Sequence, residues 1–311
     1  MIMRFFKRKK DKISILKNKV VGVESQLRLG IESQKLMMGK LLAKSNKAVQ
    51  SVSALDEVEF QVFSQFGDDG IIQWLVESLD VSKKIFVEFG VEDYRESNTR
   101  FLLMNNNWSG CVIDGDEENI NLILGSEYCW KYELSVKAAF VTRENINELL
   151  TSFGLAGDIG LLHIDIDGND YWVWEAIDVV APDIVILEYN SVFGIERSIS
   201  VPYSPVFQRT LSHHSNLYFG ASLKALCDLS NSKGYAFIGS NSAGNNAYFV
   251  KKHKLNSKVR ACSVSEGYRL SKFRESRDEK FKLTYVSGRD RLELIRGMDV
   301  VNTRTGEIEK L

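Results

Sequence analysis

Short apolar runs and amphipathic stretches alternate along residues 85–251. Seven of the runs read as strands: 85–90, 110–114, 134–141, 160–167, 183–190, 236–240 and 247–251. Runs such as IGLLHI and DIVILEY are apolar with little alternation, as expected of strands covered on both faces. Helical periodicity occupies 98–104, 118–125, 143–153, 171–177 and 223–233. Strand–helix alternation predicts a mostly parallel sheet with helices on both sides. The last two strands are separated only by the turn sequence SAGNN, so they read as a hairpin. The expected class is α/β and Rossmann-like, with a mostly parallel seven-stranded sheet ending in an antiparallel hairpin.

Two regions flank this body. Residues 1–53 read as one long helical arm without proline. Its apolar positions Ile13, Leu16, Val20, Val23 and Leu27 alternate in steps of three and four, which is a heptad seam. Gly30 and Gln34 interrupt the seam before Met37 and Leu41 resume it. Association with a second copy, giving a homo-oligomer, is the expected use. The basic start, residues 1–10, also suits weak contact with an anionic membrane surface. Residues 60–79 read as a turn followed by a helix, with Asp68 or Asp69 near its start and Ile71, Ile72, Leu75 and Val76 as the buried stripe. The expected division is an arm (1–53), a Rossmann-like domain with its leading helix (54–252) and a charged C-terminal extension (253–311) to which the pattern assigns no role.

Composition fits a soluble globular chain: 311 residues, 44% hydrophobic and 26% charged. No apolar run reaches the roughly 18 residues of a membrane span. The basic start lacks the apolar stretch and cleavage site of a secretory leader. The four cysteines (Cys111, Cys129, Cys227, Cys262) show no CxxC spacing and read as free thiols in a reducing cytoplasm. The expected location is cytoplasmic, with the basic arm allowing a place against the inner membrane surface. Charge divides the chain unevenly. Residues 1–50 carry 13 basic and 3 acidic groups, residues 51–250 carry 11 and 29, and residues 251–311 carry 16 and 9. An acidic body is a poor platform for nucleic acid, which needs clustered cations. It suits a metal cation or a sulfonium.

The acids matter because ligands of open parallel sheets bind beyond the carboxyl ends of the strands. Four predicted strands end there in carboxylates: FVEFG (Glu88), DGD (Asp114, Asp116), DIDGND (Asp165, Asp167, Asp170) and EYN (Glu188, Asn190). Like charges brought together repel, so such convergence calls for a ligand. Gly90 allows a tight turn with close backbone approach. The loop GVEDYRESNT has no second glycine and is no GxGxxG phosphate cradle, which argues against a dinucleotide. Asp114, 26 residues after Glu88, is placed either to accept ribose hydroxyls or to serve as a turn residue in DGDEEN. DIDGND fails as a calcium loop: its glycine is fourth instead of sixth, and no glutamate falls at the twelfth position. Asp165, Asp167, Glu188 and Asn190 make an oxygen-rich set suited to Mg²⁺ or another hard cation; the alternative is that they orient hydroxyls.

The segments SQFGDDGII, FVEFGVEDYRESNTRFLL, WSGCVIDGD, LLHIDIDGNDYWVWEAI and YFGASLKALCDL…KGY resemble bacterial FkbM-like S-adenosylmethionine-dependent methyltransferases, many of them linked to sugar or polysaccharide modification. The resemblance spans about 60% of the chain, from Ser64 to Lys251. It implies cofactor contacts at Glu88, Gly90, Asn98, Asp114 and the adjoining Gly115, and substrate-side groups at Asp165, Asp167 and Asn169. The first loop is poorer in glycine than the family pattern. The activity so implied is O-methyl transfer to a sugar or polysaccharide hydroxyl.

Among the four histidines, His163 shares strand parity with Asp165 and reads first as a hydrogen-bonded core residue. The segment 191–219 is long for a connection and holds two of the three prolines, so it reads as a lid or binding loop. His214, in that loop, is the candidate general base, beside Asp165 and Asp167 as catalytic acids. Two rivals remain open: a metal-dependent glycosyltransferase that uses the DID motif, and a non-catalytic scaffold assembled through the arm.

Overall fold

Each of the first five strands is followed, after a turn, by helix or long loop, because a parallel strand must be reached by a crossover. The computed structural model describes the backbone of residues 2–311, and the side chains of all of these except residues 2–16, Asn18 and Ser25. Helix α1 spans Ile2–Asn46 and α2 spans Asp68–Ser78. Strand β1 (Ile85–Phe89) leads to α3 (Arg100–Asn106), and β2 (Ser109–Asp114) to α4 (Glu117–Leu124) and α5 (Tyr128–Lys131). Then β3 (Leu134–Ala138) leads to α6 (Ile146–Ser152), and β4 (Gly157–Ile164) to α7 (Asp170–Ala176). Strand β5 (Val180–Glu188) opens a long segment that holds β6 (Ile199–Ser200) and α8 (Arg209–Ser212). The chain closes the sheet with α9 (Leu223–Ser232), β7 (Tyr235–Ser240) and β8 (Asn246–Lys251). Strands β9 (Asp299–Asn302) and β10 (Ile308–Lys310) follow near the C-terminus.

The main sheet has the order β3-β2-β1-β4-β5-β8-β7. Strands β1 to β5 are parallel, and β8 lies antiparallel to both β5 and β7. This is the α/β architecture expected from the pattern, hairpin included. Among the boundaries that differ, two have a physical reason in the pairing and the turns. β5 starts before Pro182, because β8 pairs only from Ile184 onward and a missing N–H is tolerated where a strand has no neighbour on that side. β4 stops at Ile164, so Asp165 and Asp167 leave the strand, and Asp167 takes a left-handed conformation (φ 56°). Extended-chain parity is therefore not what brings these two acids together.

Alternation along the strands sorts the core. Val87, Phe89, Leu162, Ile164, Val185 and Leu187 pack against the face covered by α6, α7 and α9. Phe86, Leu161, Ile184 and Ile186 pack on the opposite face, under α2 and α3. Glu88 shares the parity of Phe86, His163 that of Leu161, and Glu188 that of Ile186. Three polar groups thus emerge on the α2–α3 face at the carboxyl edge.

The end of α1 docks on the domain through Leu36, Gly39 and Ala43, which meet Phe60, Val62 and Phe101. A Cβ on Gly39 would lie 2.5 Å from Val62 Cγ2 and 2.7 Å from Phe101 Cε2. Gly39→Val should therefore lower the unfolding free energy by about 1–3 kcal/mol in urea melts, the usual cost of overpacking. The heptad positions occupy another face: Val20, Val23, Leu27, Met37 and Leu41 are all more than half exposed. Ile13 and Leu16 lie outside the described side chains.

Residues 253–311 pack back onto the domain. Cys262 N–H donates to Phe237 O (3.0 Å), Tyr268 Oη to Ser191 O (2.6 Å), and β9 pairs with β6 and β10. Ile295 and Val300 join Phe193, Ile199, Val201 and Leu217 in a separate small core. Among the described residues no helix is long and apolar enough to cross a membrane.

Candidate active site

Strand order reverses between β1 and β4: the chain progresses outward to β3 on one side and to β5 on the other. Loops leaving the two strands diverge, and a crevice opens at such a switch point. Here it measures about 750 Å³. Glu88, Gly90, Asn98, Asp114, Asp165 and Glu188 all line it. Gly90 (φ 74°) is obligatory, because a Cβ would stand 1.8 Å from Asp165 O. The glycines missing from the following loop are replaced by Glu92 (φ 46°) and Tyr94 (φ 62°), which carry the left-handed turns themselves.

Glu88 is the hub of this loop. Oε1 accepts from Asn98 N (2.9 Å) and pairs with His163 Nδ1 (3.0 Å), while Oε2 accepts from Ser97 Oγ (2.6 Å), Thr99 N and Thr99 Oγ1. Burial works against its charge, but the hydrogen bond and charge of His163, with Ser97 and Thr99, hold the carboxyl below its ordinary value. His163 is opposed by burial and raised above its ordinary value by Glu88. It is the hydrogen-bonded core histidine expected, and its Nε2 lies 3.3 Å from Asn98 Nδ2. With both oxygens engaged, Glu88 shapes the wall of the crevice through residues 97–99.

Asp114 ties the end of β2 to the loop after β1. Its Oδ2 accepts from Glu92 N (2.8 Å), and Oδ1 from Asp116 N (2.9 Å) and Asn119 Nδ2 (3.3 Å). The turn role is thus present, at a residue that also faces the crevice. Gly115 and the half-exposed ring of Phe140 continue the same wall.

The opposite half is an acid cluster. Asp165, Asp167 and Glu188 each offer a carboxylate oxygen within 4.8 Å of the others. Burial and then the Asp167 charge push Asp165 up to about 7. Burial, with Asp165 and Asp167 beside it, raises Glu188 well above its ordinary value. Glu188 Oε2 is buried without a hydrogen-bond partner, as is Asn169 Oδ1, whose Nδ2 donates to Ser204 O (2.8 Å). Asp170 closes the turn by accepting from Ile166 N and Gly168 N, both at 3.0 Å.

Arg209, which sequence reasoning overlooked, answers these charges. Nη1 meets Asp167 Oδ1 at 2.7 Å and Nη2 meets Glu275 Oε2 at 3.1 Å. Its guanidinium lies 3.8 Å from the Phe219 ring centroid. It is the one arginine between Arg197 and Arg260, inside the loop already marked by its length, and that was the available signal. Phe273, Arg274 and Glu275 of the C-terminal segment also line the crevice, with Phe273 stacked on Phe66 (5.8 Å, 12° between planes). Nothing local announces them.

Two expectations are corrected. Asn190 is not available to a metal: Nδ2 donates to Leu217 O (2.8 Å) and Phe219 O (3.0 Å), and Oδ1 accepts from Val192 N (3.0 Å). It is spent on holding the long loop, and it does not line the crevice. His214 does not line the crevice either; its ring lies 4.3 Å from that of His213, tilted by 32°, since the chain turns after α8 and presents Arg209 to the acids instead.

No family model and no curated protein matches the chain. Among solved structures it is similar to an O-methyltransferase from Bacillus cereus in complex with SAH (TM-score 0.40, 12% identity, covering 70% of this chain and 91% of that one). It is also similar to the N-terminal domain of EvdMO1 with SAH bound (0.39, 12%, 64% and 83%). A third is an S-adenosylmethionine-dependent methyltransferase from Clostridium acetobutylicum (0.37, 7%, 59% and 89%).

Proposed function

We propose that the chain is an FkbM-like methyltransferase that carries the methyl group of S-adenosylmethionine to a hydroxyl of a sugar or polysaccharide. The observation behind this reading is the two-sided crevice at the switch point. One side, Gly90 to Asn98 with Asp114, Gly115 and Phe140, supplies backbone, acceptor oxygens and an aromatic face suited to a nucleoside. The other side presents acceptors in need of donors: Glu188 Oε2, Asn169 Oδ1 and Asn246 Oδ1 are all buried and unpaired. A polyhydroxyl acceptor answers that demand, whereas a phosphorylated one would meet repulsion from three carboxylates.

The bound cofactor supplies an electrophilic methyl on a cationic sulfur, which an acidic crevice favours. The protein's own part is orientation and proton removal. Asp165, raised to about 7, is matched to take a hydroxyl proton near neutral pH. Arg209 holds Asp167 and Glu275 and keeps the long loop over the cluster.

A divalent cation also fits the residues present. Asp165, Asp167 and Glu188 form an all-oxygen set with one orphaned buried oxygen, the chemistry preferred by Mg²⁺. Once bound, such a cation would lower the pKa of a neighbouring hydroxyl.

Titration calorimetry with S-adenosylmethionine, with and without Mg²⁺, tests the proposal. The expected result is saturable binding and a rise in melting temperature. Absence of both, or stabilisation by a nucleotide-sugar with Mn²⁺ instead, would sink it.

A further inference from the structure

Arg100 presents an unusual combination. It opens helix α3, where a cation opposes the helix dipole, and it is only 1% exposed. Its guanidinium sits 4.0 Å from the Phe63 ring centroid and 4.7 Å from that of Tyr128. Nη1 donates to Arg95 O at 2.8 Å, which pins the start of the loop 95–99. A buried cation needs a counter-charge, because its desolvation is expensive. Among the described residues the carboxylate paired with it is Glu32, 2.8 Å from Nη2. Glu32 belongs to none of the domain's layers; it lies on α1, in line with the docking positions Leu36, Gly39 and Ala43.

The loop that Arg100 pins is the one that walls the crevice. Glu96, Ser97 and Asn98 line it, and Ser97, Asn98 and Thr99 converge on Glu88. Ser97 N–H also donates to the carbonyl of Phe63, whose ring Arg100 covers (3.1 Å). A continuous set of contacts therefore runs from the docked face of α1, through Arg100, to the cofactor side of the crevice.

We propose that Glu32 and Arg100 are positioning residues for the 95–99 loop, so that docking of the N-terminal helix sets the affinity of the crevice for its cofactor. The cofactor clause rests on the methyltransferase reading above. The pairing gives the helix a role inside the site in addition to any use of its exposed seam.

The test uses the full chain and two readouts. Glu32→Gln should weaken S-adenosylmethionine binding by about tenfold in calorimetry, within the usual range of coupling between sites. It should also speed hydrogen exchange at the amides of Ser97, Asn98 and Thr99, while the amides of β4 and β5 keep wild-type protection. Glu24→Gln, which removes an exposed pair with Arg28 on the same helix, should change neither readout. Wild-type affinity in Glu32→Gln overturns the proposal. If the wild-type protein binds no S-adenosylmethionine, the functional reading fails separately, and the exchange readout still decides: unchanged exchange at 97–99 overturns the positioning role.

Discussion

Glu88→Ala is expected to lower the unfolding free energy by about 3–5 kcal/mol, the cost of leaving one member of a buried ion pair alone. It should also remove measurable cofactor binding. The substitution strips the shared acceptor from Ser97, Asn98, Thr99 and His163, all of them buried. Urea melts across pH separate the ion pair from lost packing. Glu88 is held below its ordinary value of 4.5, so its contribution is present above about pH 4.5 and is lost as pH falls through the lowered value. His163 is raised above 6.5, so its contribution is full below about pH 6.5 and is lost as pH rises through the raised value. The difference between wild type and variant should therefore be largest between about pH 4.5 and 6.5 and smaller on either side. A difference that stays flat from about pH 5 to 9 would show that the pair is not charged.

What could be read in the sequence follows from how far each signal reaches along the chain. The strands were legible because burial on both faces imposes local apolar runs, and Phe86, Leu161 and Ile186 sit in such runs. The crevice position followed from topology alone, since Glu88 and His163 become neighbours as soon as β1 pairs with β4. Gly90 was legible as a turn, but not its reason, the carbonyl of Asp165 against it. Asn190 and His214 were misread because a polar side chain at a strand end or in a long loop looks the same whether it serves a ligand or the backbone. Asn190 gives all its hydrogen bonds to the loop it anchors. Arg209 reaches Asp167 across 42 residues and Glu275 across 66, and no periodicity encodes contacts of that span. The same holds for Phe273 on Phe66. Of the two roles open for Asp114 in the sequence, the turn is present in its bond from Asp116 N, and the residue also lines the crevice.

The paired substitution Asp165→Asn with Glu188→Gln is expected to act in the opposite direction to Glu88→Ala: it should stabilise the fold and remove its use. Asp165, raised by burial and by Asp167, and Glu188, raised by burial and by both aspartates, have folded values above their unfolded ones. Their contribution to stability is thus full below the unfolded values and declines as pH rises through the folded ones. At neutral pH the crowded acids cost the native state stability, although Arg209 pairs with Asp167 and its charge also opposes the rise of Asp165 and Glu188. Amides of the same shape remove that repulsion, and a gain of about 1–3 kcal/mol in the absence of metal is the expected result. Mg²⁺ should raise the melting temperature of the wild type and leave the variant unmoved. S-adenosylmethionine binding should survive in the variant, because Gly90, Asn98 and Asp114 are untouched, while transfer to an acceptor is lost. A variant less stable than wild type would mean that the acids are held by contacts stronger than their mutual repulsion. Equal stabilisation of both proteins by Mg²⁺ would move the cation elsewhere. A chain that retains three mutually repelling acids at the edge of a parallel sheet gives up stability there, and that loss is explained if a cation or a donor-rich acceptor completes the cluster.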